Sequence, residues 1–214
     1  MTIEKYDLHE LPETAAWRHR GLRDGFEVAY FASNPADGTT RIWGSSVAVE
    51  GSASYAVSYR VIVDEQWATR EATVQTQIRD ATWSTDFARD ENGTWFVDGE
   101  VRPDLAACAD IDLEASVVTN TIPVHRLWAE PGSHEVRSVY VRTTANVVEV
   151  LDQRYEIPAT VTSPFSLGYT APQFDFSADL RYDASGSSSS TRSSQSESAE
   201  PRECVRCVLQ SESS

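Results

Sequence analysis

Asp110 and Asp112 flank a single isoleucine, and this is the spacing in the chain that most resembles acid/base chemistry. In an extended segment alternate side chains share a face, so both carboxylates would point to one side, as a general acid/base pair requires. A solvated strand face produces the same alternation far more often, so the pair is first a structural feature. The stretch Thr119-Asn-Thr-Ile-Pro123 follows a few residues on, with Arg126 just beyond. Thr and Asn side chains satisfy nearby backbone groups, and Pro123 biases Ile122 toward extended geometry. If the two segments lie adjacent, Arg126 can pair with Asp110 or Asp112. Such a cluster either holds the link between two halves of a sheet or grips a ligand headgroup at a cavity rim.

Other reactive side chains carry less. Cys204 and Cys207 have CxxC spacing, but no second CxxC or HxxxH supplies the remaining ligands of a structural zinc site, and no βαβ context suggests a redox pair. Cys108 is a lone thiol in apolar surroundings, which is ordinarily a packing residue. His9, His19, His125 and His134 have no metal spacing, and no GxSxG elbow is present. No catalytic residue, metal site or cofactor is therefore assigned. Six tryptophans, at positions 17, 43, 67, 83, 95 and 128, either fill a wide barrel or line an apolar cavity within one.

The elements that must position these groups are strands. In residues 55–63 the larger apolar side chains Tyr55, Val57, Tyr59, Val61 and Val63 fall on one face, and residues 174–183 repeat the pattern. Segments 41–50, 67–78, 82–89, 94–100, 123–129, 135–144 and 147–157 read as further strands rich in Val, Thr and aromatics. Turns are expected at Asp37-Gly38, Glu50-Gly51, Asn92-Gly93, Pro131-Gly132 and Asn146. The expected fold is all-β: one large antiparallel sheet folded into two layers as an open barrel or half-barrel, with few short helices, near 8–16 or 110–116. From Ala184 the composition turns serine-rich, so the domain is expected to span residues 1–183 and residues 184–214 to form a disordered tail.

The 214 residues carry 33 acidic and 18 basic side chains, a formal net charge of -15. A surface of this sign repels nucleic acid. Lys5 is the only lysine, and acidic excess with lysine nearly absent fits a salt-adapted chain whose carboxylates need screening. The first twelve residues hold Glu4, Asp7 and Glu10 without an apolar core, and no stretch approaches a membrane span, so a cytoplasmic location is expected.

The order of several motifs resembles one family, the glycolipid-binding β proteins of bacteria and archaea. The residues that carry it are Tyr59-Arg-Val with Asp64 and Trp67-Ala-Thr-Arg70, Gly93-Thr-Trp95, Cys108-Ala-Asp-Ile-Asp-Leu113 running into Thr119-Asn-Thr-Ile-Pro-Val-His-Arg-Leu127, Gln153-Arg-Tyr155, and residues 174–183. The resemblance implies a large sheet similar in shape to lipoprotein-carrier folds, and a ligand that is apolar or amphipathic; it establishes no catalytic residue. Ala107 before Cys108, Ser116-Val-Val118 and His125 depart from the family's pattern, and Gly186 opens the serine run where the family continues its sheet. An edge left unpaired there would favour self-association.

Together these readings give a non-enzymatic carrier or sensor with Trp67, Arg70, Trp95, Asp110, Asp112, Asn120 and Arg126 as candidate ligand-binding residues. The alternatives are an enzyme using Asp110 and Asp112 on a sugar or lipid headgroup, and an interaction module with a filled barrel.

Overall fold

The computed structural model describes residues 8–160, 163–193 and 208–209. The strands in chain order are β1 (Thr14–Arg20), β2 (Arg23–Asn34), β3 (Thr39–Glu50), β4 (Ala53–Val63), β5 (Thr69–Ile78), β6 (Ala81–Arg89), β7 (Trp95–Val97), β8 (Glu100–Val101), β9 (Asp110–Leu113), β10 (Gly132–Arg142), β11 (Val147–Ile157), β12 (Phe165–Ala171), β13 (Phe176–Tyr182), β14 (Ser188–Ser193) and β15 (Val208–Leu209). They form one sheet in which β1 to β8 run outward as a meander, β15 bridges β1 to β14, and β14 to β9 continue the other half. The sheet curls without closing. Its β9 end returns to the start of β5, where Thr69 N–H donates to Ala109 O at 2.9 Å and Ile111 N–H to Thr69 Oγ1 at 3.2 Å. This is the all-β open half-barrel that the alternation predicts.

Turn chemistry explains the meander. Gly38, Gly51, Gly93 and Gly132 and also Asn146 all have positive φ, at each of the five places where the sequence signals a turn. At Asn92-Gly93 the Asp90 carboxylate accepts the N–H groups of Asn92 (2.9 Å) and Thr94 (2.8 Å), fixing the link from β6 to β7.

One pairing is parallel, β9 with β10. A parallel neighbour needs a crossover of a dozen or more residues, and the chain supplies it through a 3-10 turn at Val118–Asn120 and the short helix α1 (Thr121–Leu127). The strand expected at 123–129 is therefore a helix. Pro123 fits its first turn, where N–H groups have no intrahelical partner. Neither expected short helix forms: residues 8–13 hold no helix and β1 begins at Thr14, and β9 lies within 110–116. β2 and β12 are strands that the sequence reading does not pick out.

The boundary at Asp183 also moves. Ser185, Ser187 and Ser188 are buried, β14 pairs with β13 from Tyr182 to Ala178, and Trp17 Nε1 donates to Ser188 O at 2.5 Å. Ser188 opens the strand, and the turn before it is held by the Asp183 carboxylate, which accepts from Ser185 N–H (2.9 Å), Ser185 Oγ (2.6 Å) and Ser187 N–H (3.2 Å). Residues 194–207, including Cys204 and Cys207, lie outside the described residues.

Two apolar clusters fill the sheet's concave side. One joins β1 to β6 with Leu105, Cys108, Ile111 and the 115–122 crossover; the other packs Val124 and Trp128 on β10 to β13. The sites described below lie at their junction.

Candidate functional site

Asp110 and Asp112 sit on the same strand but serve different partners. Asp110 is 1% exposed and meets Arg126 of α1 in a bidentate pair, Nη2 on Oδ2 and Nε 3.2 Å from Oδ1. Burial pushes its pKa up and the guanidinium pulls it down; the carboxyl stays above the usual range, so desolvation outweighs the pairing. The pair pins α1 to the edge strand β9.

Beside it the β4–β5 turn is built on Asp64, whose carboxylate accepts the N–H of Gln66 (3.0 Å) and Ala68 (2.8 Å) and pairs with Arg70 at 2.8 Å. Trp67 in this turn has φ 61°, an uncommon conformation for a bulky residue. Its ring stacks on His125 with centroids 3.8 Å apart. Burial lowers the His125 pKa to about 4. Gly186 closes over the same imidazole: an added Cβ would lie 2.9 Å from His125 Nε2 and 2.8 Å from Leu8 Cδ1. Trp67, Arg70, Asp110 and Arg126 thus form one packed corner.

Asp112, on the same face of β9 two residues further on, lines a pocket. Its Oδ1 accepts from Thr119 Oγ1 (3.0 Å) and its Oδ2 from Gln153 Nε2 (2.7 Å). Gln153 also donates to the Tyr169 hydroxyl (2.9 Å) and accepts from Ser138 Oγ (2.7 Å). Burial raises Asp112 to about 6, against the pull of these two hydrogen bonds. Asn120, Glu114 and Tyr140 complete the polar end, and Leu151, Phe174, Phe176 and Leu180 wall the other. The cavity measures about 60 Å³ and is open on one side. Two buried polar atoms at its polar end, the Tyr140 hydroxyl and Glu114 Oε2, have no hydrogen-bond partner among the described residues. Burial holds Glu114 above the usual range as well, with Arg23 opposing.

Next to the pocket, β11 and β12 part. These strands pair only from Arg154 to Glu156, and beyond that the Gln173 side chain takes the place of a strand. Its Oε1 accepts from Asp152 N–H (2.7 Å) and its Nε2 donates to Val150 O (3.0 Å). This ties the Pro172–Phe174 turn against β11, and Phe174 lines the pocket with its ring 5.6 Å from that of Tyr140.

Of the sequence candidates, the structure brings Asp112 and Asn120 to the pocket. It brings Trp67, Arg70, Asp110 and Arg126 to the neighbouring corner. Trp95 lies apart: it is wholly buried, and its Nε1 donates to Cys108 O at 3.0 Å. No tryptophan lines the pocket.

A second polar network escapes the sequence reading altogether. Glu27, fully buried on β2, accepts from Tyr59 OH (2.7 Å), Ser116 Oγ (2.5 Å) and Val117 N–H (2.8 Å). His19, also fully buried, lies 3.6 Å from it and is lowered to about 4, chiefly by burial and then by Arg23. Glu27 ties β2 to the crossover after β9. The available signal is in β2 itself: Phe26, Val28 and Tyr30 alternate with Glu27 and Ala29, and the structure buries the face with the glutamate.

An open antiparallel half-barrel with a small amphipathic pocket at the junction of its two halves is thus the class of protein defined here. Residues 14–188 match the family described as "Putative glycolipid-binding", and the chain belongs to that family. Two solved structures share the fold. A DUF1089 family protein from Pseudomonas aeruginosa superimposes with a TM-score of 0.63 at 24% identity, covering 81% of this chain and 90% of that one. A β-barrel-like protein of domain of unknown function DUF1849 from Brucella abortus gives 0.52 at 8% identity, covering 88% and 93%. No curated protein matches the chain. Among the described residues no helix is long and apolar enough to cross a membrane.

Proposed function

We propose that the pocket between β9, β10 and β13 binds a small amphipathic molecule with an uncharged, hydroxyl-bearing polar end, of the glycolipid kind, and that the protein is a carrier or sensor of it. The observation that supports this most is the Tyr140 hydroxyl, buried without a hydrogen-bond partner among the described residues at the polar end of a cavity whose other walls are Leu151, Phe174, Phe176 and Leu180. A buried hydroxyl left unpaired costs about 1–3 kcal/mol, and a ligand hydroxyl would remove that cost. Two desolvated carboxyls, Asp112 and Glu114, disfavour a phosphate or carboxylate head by like-charge repulsion. Asp110 is taken up by Arg126 and Asp112 by Thr119 and Gln153, so the two do not converge as an acid/base pair would. The acyl part enters by displacing Phe174, because pockets for drug-sized ligands measure roughly 300–1,000 Å³.

The cavity's 60 Å³ favours one other reading, a filled interaction module without a small ligand. Native mass spectrometry of protein purified from its own host separates the two. A co-purified uncharged amphiphile supports the carrier, and a bare polypeptide mass throughout supports the filled module.

A further inference from the structure

The convex face of β1 to β4 is built unlike the rest of this acidic chain. Directly paired residues share a face, and one row across it reads Arg18, Phe26, Val47 and Ala56. A second reads Thr14, Tyr30, Trp43 and Arg60, and between them lie Val28 and the hydrogen-bonded pair Ser45 and Ser58 (3.0 Å). Phe26 is 57% exposed, Val47 48% and Tyr30 43%. Most of the exposed large apolar side chains among the described residues lie here, with Leu22 and Val49 extending the patch. The reason is the inverted strand β2: with Glu27 hydrogen-bonded inside, the larger side chains Phe26, Val28 and Tyr30 must point to solvent.

The charge of this face is also inverted. Neither row holds a carboxylate, although acidic residues outnumber basic ones 33 to 18 in the chain. Carboxylates begin only at its margins, with Asp24 4.0 Å from Arg18 and Glu71 3.2 Å from Arg60. Those exposed pairs are weak and exchange readily for other anions. Arg18 lies over the Phe26 ring at 5.7 Å and Arg41 over the Trp43 ring at 4.5 Å, so cations and aromatics form one surface.

We infer that this face docks on an anionic lipid surface. Aromatic side chains with an apolar body and a polar tip, mixed with arginines, suit the boundary between headgroups and acyl chains. A second copy of the chain would set arginine against arginine, whereas lipid phosphates complement the face. The net charge of -15 does not forbid contact. At 0.1 M salt the screening length is about 10 Å, so carboxylates on the far side of the sheet act weakly on a membrane touching this one. The inference is independent of the pocket, whose lining comes from β9 to β13 and the crossover rather than from β1 to β4.

Vesicle co-sedimentation of the full chain tests it, using phosphatidylcholine alone and phosphatidylcholine mixed with phosphatidylglycerol. The expected result is binding to the mixed vesicles only, weakening as salt rises. Phe26→Glu with Val47→Glu should abolish it, and Arg18→Gln with Arg41→Gln should weaken it about thirtyfold, since each arginine near an anionic surface contributes on the order of 1 kcal/mol. The second pair keeps the test valid if the first fails to fold by circular dichroism. Equal binding to both vesicle types, no binding to either, or binding untouched by the variants overturns the inference. So does a dimer seen by light scattering that Phe26→Glu with Val47→Glu dissociates, because a second copy would then cover the face.

Discussion

Gln153 Nε2 lies 2.7 Å from Asp112 Oδ2, and this bond ties the pocket's carboxyl to the middle of β11. Burial lifts Asp112 from 3.8 to about 6, and the bond from Gln153 acts against that lift by favouring the ionised form. A raised carboxyl stabilises the fold most when protonated, and that contribution is lost as pH rises from about 4 through about 6. Gln153→Leu removes the counterweight, so its cost should be larger at pH 8 than at pH 5, on the order of 1–3 kcal/mol at the higher pH. Urea unfolding at the two pH values checks this, and equal losses would mean that Asp112 does not depend on Gln153.

Arg126→Ala leaves Asp110 buried without its partner. A loss of about 3 kcal/mol is expected near neutral pH, shrinking in acid as Asp110 takes up a proton. Thermal melts of Arg126→Ala and Arg126→Lys measure it; an unchanged melting temperature in the alanine variant would show that the pair does not anchor α1.

The two buried histidines set the acid limit. His19 and His125 are each lowered from 6.5 to about 4, so the stability they contribute while neutral is present above 6.5 and lost as pH falls toward 4. Asp110, Asp112, Glu114 and Glu27 are all held above the usual carboxylate range and work in the opposite sense over that window, so the histidines' part is read as a difference between variants. His125→Gln should lose less stability than the native chain between pH 6.5 and 4, by thermal melts at the two values. Equal losses in the two proteins would contradict the account.

Truncation after Asp183 should lower the melting temperature, because it removes the partner strand of β13 and the acceptor of the Trp17 indole. A truncated chain that melts with the full one would return the boundary to Asp183. The acidic surface gives a further expectation: circular dichroism should show a tighter fold in molar salt, where the screening length falls to about 3 Å, than in dilute buffer.

What the sequence discloses follows from what each pattern measures. Alternation in β4 and β13 is legible because one face of each is apolar throughout, and turns are legible because positive φ selects Gly and Asn. β2 is not, since its buried face carries Arg23 and Glu27 and its exposed face Phe26 and Tyr30. The Asp110–Arg126 pairing can be read from residue types once the segments are adjacent. That Asp112 parts company with Asp110 cannot, because it depends on Gln153, a strand that reaches β9 only through β10. The serine run misleads for a related reason: composition reports apolar burial, whereas Ser185 to Ser188 are held by polar contacts, the Asp183 carboxylate and the pairing with β13.

The central claim is that the unpaired Tyr140 hydroxyl is a ligand contact, and titration calorimetry with octyl glucoside tests it most directly. Binding by the native chain is predicted, with Tyr140→Phe about tenfold weaker at a melting temperature no lower than the native chain's, and with octyl phosphate binding less well than the glucoside. No heat of binding in the native chain, or equal affinity in the native and Tyr140→Phe proteins, would contradict it.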